Sequence, residues 1–129
     1  MAQPVPTEQA AALRELGQAV HRLEAAYRLL RPTLKDPEKL TLRYYRVQGR
    51  AGWILTNYRR LLPEDTVYRL QGRLGRPALA SPFDEAVPSR RALLRLRQTA
   101  RELLEAVRPV LARETEGEVW EEPQLRWEL

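Results

Sequence analysis

Apolar residues recur at alternating spacings of three and four along three stretches of this chain. In the first, Leu13, Leu16, Val20, Leu23, Tyr27 and Leu30 form a heptad seam, the mark of an amphipathic helix with one buried stripe. Thr7 stands where an N-cap is needed, and Arg31-Pro32 should end the helix, because proline disfavours helical conformation in the residue before it. The second seam comprises Leu40, Tyr44, Val47, Ala51, Ile54, Tyr58 and Leu61. Asp36 as N-cap, Pro37 at the first helical position and Glu38 beside the positive helix end start it, and the helix is predicted to run to about Leu62, where Pro63 breaks it.

A shorter helix, "PEDTVYRLQGRLG", is predicted from Pro63 until Gly75 and Pro77 punctuate its end. The proline-rich "RPALASPFDEAVP" then reads as a connection, with room for one turn at Pro82 to Glu85. Ser89 caps the last long helix, whose seam is Leu93, Leu96, Ala100, Leu103, Val107 and Val110, with Pro109 kinking its end. No stretch alternates apolar and polar residues with enough β-branched content for a strand. The pattern predicts an all-α fold, an elongated antiparallel helical bundle of three long helices plus one or two short ones. Helices of ~25 residues are ~38 Å long, and seams this regular also suit sharing between chains.

Composition changes this picture mainly through charge. The 129 residues fit one fold unit. The net charge of +5 conceals a basic body, residues 1–113 at +10, and an acidic tail, residues 114–129 at −5. The tail, "ETEGEVWEEPQLRWEL", has no helical stripe yet holds two of the three tryptophans, more aromatic content than a disordered acidic tail calls for. Cysteine is absent, which excludes disulfides, thiolate metal sites and cysteine nucleophiles. No apolar run approaches the ~20 residues that span a bilayer and the start lacks the plan of a signal peptide, so the expectation is an unprocessed, soluble, cytoplasmic protein without membrane association. Twenty arginines against two lysines, with one Asn and one Met, fit a GC-rich, thermophilic source.

One phrase is written twice: "YRVQGRAG" at residues 45–52 and "YRLQGRLG" at residues 68–75. On a helix, Tyr45, Gly49 and Gly52 align, as do Tyr68, Gly72 and Gly75. An interior glycine costs ~1 kcal/mol relative to alanine, so Gly49, Gly52 and Gly72 call for a compensating reason. Close helix crossing is the plainest.

The arginines offer another. Arg43, Arg46, Arg50, Trp53, Asn57 and Arg60 recur at helical spacing beside the second seam, and Arg69, Arg73 and Arg76 follow in the second phrase. Residues 39–76 hold nine Lys+Arg against two acids, and like charges at helical spacing repel by a few tenths of a kcal/mol per pair. Arg90 and Arg91 in a helix first turn oppose the dipole. An external polyanion relieves such crowding: guanidinium forks suit phosphate, and aromatic rings stack on exposed bases. Arg43, Arg46, Arg50, Arg60, Arg69 and Arg73 are therefore candidate phosphate contacts, with Trp53 a candidate stacking platform. The plainer readings are an interface position for Trp53, arginine stems covering apolar surface, and the acidic tail lying along the basic face as a strap or nucleic-acid mimic.

Catalytic chemistry finds no motif. His21 is the single histidine, and a Glu-x-x-His ligand pair fails because position 18 is Gln; it reads as a boundary residue of the first helix. Neither glycine phrase satisfies a phosphate-loop or dinucleotide fingerprint. Glu64-Asp65 and Asp84-Glu85 lie beside prolines at helix starts, which explains them as capping acids. The expectation is thus a non-enzymatic nucleic-acid-binding protein, RNA or DNA, without cofactor, serving as a subunit or accessory factor of a nucleoprotein assembly. The alternative is an interaction or oligomerisation module that joins copies of itself or an acidic protein partner.

Overall fold

The computed structural model describes residues 7–74 and 87–115. Helix α1 spans Thr7–Leu29, α2 Pro37–Asn57, α3 Glu64–Leu74 and α4 Arg90–Thr115, with a 3₁₀ turn at Arg59–Leu61 between α2 and α3. The protein is all-α, and no strand occurs among the described residues. Residues 116–129 of the acidic tail, Gly75, Pro77 and the Pro82–Glu85 segment lie outside them.

The three seams become one core. Leu16, Val20 and Leu23 of α1, Leu30 just past its end, Val47, Ala51 and Ile54 of α2, and Ala100, Leu103 and Val107 of α4 are all fully buried. Val67, Leu70 and Leu74 bring α3 to the same cluster. Tyr27, Leu40, Tyr44, Tyr58 and Leu61 pack around its edge, where a phenol keeps its oxygen near water while its ring is covered. Leu55, Leu104 and Leu111 are buried beside the seams and widen the stripes of α2 and α4. Thr41 and Thr99, also buried, satisfy their hydroxyls by donating to the carbonyls of Pro37 and Arg95, both at 2.8 Å.

Helix starts obey local chemistry. The Asp36 carboxylate accepts from the backbone N–H of Glu38 at 3.0 Å and of Lys39 at 3.3 Å, with Pro37 in the first turn. Ser89 Oγ accepts from Ala92 N–H at 3.1 Å. Thr7 is helical, the first described residue of α1, and the residues before it lie outside the described structure. Helix α4 continues through Pro109 to Thr115.

The C-terminus of α2 corrects the sequence expectation. Rather than reaching Leu62, the α-helix stops at Asn57. Tyr58 leaves the helix at φ −121°, ψ 20°, and Leu62, ahead of Pro63, is extended at φ −114°, ψ 156°. The intervening residues tighten into 3₁₀ bonds, Leu61 N–H to Tyr58 O and Leu62 N–H to Arg59 O. Arg60 therefore leaves the α2 stripe. His21 is corrected too: it is exposed on α1, not at its boundary.

Orphan carbonyls at three helix ends are closed by side chains of other helices. Arg43 donates to Leu29 O at 3.1 Å, and Arg97 donates to Tyr27 O at 3.4 Å and to Leu30 O. Gln71 donates to Leu55 O in the last turn of α2, and Gln48 donates to Leu74 O at the end of α3, both at 3.3 Å. Gln48 and Gln71 hold the same place in the two copies of the repeated phrase. The repetition thus makes a reciprocal clasp between α2 and α3, which run in opposite directions where they meet.

Gly49 and Gly72 are not where the described helices approach. Among the described residues, a Cβ at Gly49 or Gly72 would meet nothing within 4 Å, and one at Gly52 would touch Leu74 Cδ2 at an ordinary 3.5 Å. Close crossing by the described residues therefore does not account for Gly49 and Gly72. Gly49→Ala and Gly72→Ala are each expected to raise stability by up to ~1 kcal/mol through helix propensity, read as a higher melting temperature. A lower one would show that something else contacts the bare backbone.

Candidate nucleic-acid interface

The arginines predicted to act together divide into two sets. Arg69 and Arg73 of α3 both donate to the Glu102 carboxylate of α4, Arg69 at 3.2 Å. Their charge already has an internal partner. Arg43 is bound to the Leu29 carbonyl because the negative end of α1 offers unpaired acceptors within its reach.

Arg46 and Arg50 of α2 form the second set. Neither has an ion pair or side-chain hydrogen bond among the described residues, and the same holds for Lys39 and for Arg60 in the 3₁₀ turn. Arg60 and Glu64, within helical reach by sequence, form no ion pair once the 3₁₀ turn separates their helices. Elsewhere the protein does pair its charges: Glu24 and Arg28 on α1 meet at 3.2 Å, as their spacing predicts. Trp53 is 59% exposed, so it belongs to the surface of this chain and not to its core.

Beside Trp53 lies an open groove of about 580 Å³ between α1 and α2. Glu15, Gln18 and Arg22 form the α1 wall, and Arg50, Trp53 and Tyr58 the α2 wall. The antiparallel course of α1 and α2 creates it: Arg43 meets the end of α1 at Leu29, while the chain after Arg50 lies beside residues 15–22. Arg22, like Arg50, has no ion pair among the described residues. The groove is rimmed by two cations, two aromatic rings and one carboxylate.

Sequence reasoning placed Arg50 and Trp53 but missed the α1 wall. Glu15, Gln18 and Arg22 recur at three and four, flanking the first seam, which was a usable signal. What periodicity could not say is which neighbouring helix this flank would face.

Two tyrosines are held protonated. Burial raises the Tyr58 phenol above its ordinary value, the Glu15 carboxylate adds to this, and Trp53 partly opposes it. Burial likewise raises Tyr44, with Tyr45 adding and Arg95 opposing; the Tyr44 and Tyr45 rings meet edge to face at 5.1 Å. Because the folded state holds these protons more tightly than the unfolded one, their contribution is intact below the unfolded value near 10 and is lost as pH rises through the higher folded values. Thermal stability should therefore decline in that alkaline window in step with phenolate absorbance. Tyr44→Phe with Tyr58→Phe should flatten the decline; an unaltered decline would assign it to other groups.

No group of three or more His, Asp or Glu able to hold a metal occurs among the described residues. None of their helices is long and apolar enough to cross a membrane. Compared with protein-family models, curated proteins and solved structures, the chain matches none.

Proposed function

We propose that this protein is a non-enzymatic nucleic-acid-binding helical protein, a subunit or accessory factor of a larger nucleoprotein assembly, built as an elongated antiparallel bundle. One observation carries the reading: among the described residues, the cations on the outer face of α2 and across the adjoining groove lack carboxylate partners, although the same protein pairs Arg69, Arg73 and Arg28. Arg46, Arg50 and Arg22 are the phosphate contacts, with Arg60 in the 3₁₀ turn after α2 a further candidate and Trp53 as the stacking platform. Arg43, Arg69 and Arg73 serve the fold.

A salt series on binding to short RNA and DNA tests this. Phosphate neutralisation requires affinity to fall linearly on log-log axes, with a slope near 0.7 to 0.9 per phosphate contact, so three to four contacts give a slope of about 2 to 4. Absence of binding at low salt refutes the reading.

A second reading has one observation in its favour. Leu42, 57% exposed, shares the outer face of α2 with Trp53 and the open backbone of Gly49, and a partner helix could cover all three. Sedimentation that shows a single monomeric species across concentrations would count against self-association through that face.

A further inference from the structure

We propose that the α1–α2 groove is a subsite for one unpaired guanine of a nucleic-acid strand. This rests on the proposed nucleic-acid function and adds which base the site selects.

The groove is large enough for a nucleotide, within the ~300–1,000 Å³ range of small-ligand sites, at about 580 Å³. It is open along one side, as a base on a continuing strand requires. Trp53 supplies an exposed aromatic face at the rim, and stacking on such a face is the common means of holding a splayed-out base. A duplex offers no such base. Arg22 and Arg50 project from opposite walls of the groove, which puts a cation on each side of the stacked base for the phosphates that precede and follow it.

Selection comes from the Glu15 carboxylate on the α1 wall. An ionised carboxylate only accepts hydrogen bonds, and does so through two oxygens. Among the four bases guanine alone presents two adjacent donors on its Watson–Crick edge, N1–H and the N2 amino group. Adenine and cytosine each set one donor beside an acceptor, and uracil sets one donor between two. A carboxylate facing any of these three leaves an oxygen against a lone pair, which is unfavourable in a partly desolvated groove. Gln18, one helical turn from Glu15 on the same wall, carries the amide donor that guanine O6 needs. Tyr58 stays protonated beside Glu15 and so adds no second anion.

Fluorescence anisotropy of end-labelled eight-nucleotide strands tests the assignment, using oligo-U with its central base replaced in turn by G, A, C or inosine, in ribo and deoxyribo series. The central G should bind about tenfold tighter than A, C or U, the scale of one good bidentate base contact. Inosine, which lacks the N2 amino group, should lose most of that gain without any change to the protein. Glu15→Gln should erase the guanine preference, read as the ratio of central-G to central-U affinity, whereas Trp53→Ala should weaken every strand by roughly tenfold or more. Preference in either sugar series supports the subsite, and the stronger series identifies the polymer. Equal binding of all central bases overturns the guanine assignment while the phosphate reading stands. Failure of every strand to bind at low salt overturns the nucleic-acid reading itself.

Discussion

Arg46→Glu combined with Arg50→Glu is expected to abolish nucleic-acid binding while leaving the protein folded. Hydrogen bonds to charged groups contribute ~1.5–3 kcal/mol each, so losing two weakens affinity by about 100-fold or more, before the repulsion of two new anions is counted. The slope of log affinity against log salt should fall by about 2. Helicity and melting should stay close to the parent, because neither guanidinium has a partner among the described residues to lose, and surface substitutions of this kind usually lie within about 0.5 kcal/mol. Glutamate at position 50 faces Glu15 across the groove, so Arg46→Gln with Arg50→Gln is the control that removes charge without adding repulsion. Loss of binding in both variants with unchanged melting supports the interface. If both unfold, those arginines hold the fold and the polyanion reading loses its basis.

Arg97→Met should do the reverse. Arg97 sits half-buried on α4, donates to the Tyr27 and Leu30 carbonyls at the end of α1, and places its guanidinium over the Tyr27 ring, 4.6 Å from the centroid. Methionine keeps the apolar stem and removes everything else. The charged hydrogen bonds, the favourable cation at a helix C-terminus and the ring contact together contribute about 2–4 kcal/mol. The melting temperature should fall by roughly 10 °C, with oligonucleotide affinity unchanged at a temperature where the variant is folded. Arg97→Lys, which keeps the charge but not the forked reach, should fall between the two. A melting curve that matches the parent would show that water replaces Arg97 at these carbonyls without loss.

These two expectations concern one residue type in two settings, and that difference marks where sequence reasoning stopped. Twenty arginines look alike in the chain. The buried first seam from Leu13 to Leu30, the Asp36-Pro37 start of α2, the Ser89 cap of α4 and the all-α class were legible, because each depends on residues within a few positions of one another. So was the Glu24–Arg28 pair. The end of α2 was not, since Pro63 acts on Leu62 directly, whereas the α-helix already ends at Asn57 and Arg59–Leu61 form a 3₁₀ turn.

The repeated phrase shows the same limit more sharply. Its glycines drew attention as breaks in helix propensity, yet a Cβ at Gly49 or Gly72 would meet nothing among the described residues. The residues that matter within the fold are Gln48 and Gln71, whose side chains span two helices to reach Leu74 O and Leu55 O. Glutamine is an ordinary helix former, so nothing local distinguishes it.

By itself the sequence determined where helices form, where most of them begin and which stripe of each is buried, because capping and hydrophobic periodicity operate over one or two turns of a single segment. Only the tertiary structure decided which arginines are free: Arg43 and Arg97 close the end of α1, Arg69 and Arg73 hold Glu102, and Arg46 and Arg50 have no such partner among the described residues. The reason is that a helix terminus or a carboxylate on another segment captures a guanidinium only once packing brings it within about 3 Å, and that distance is a property of the assembled helices.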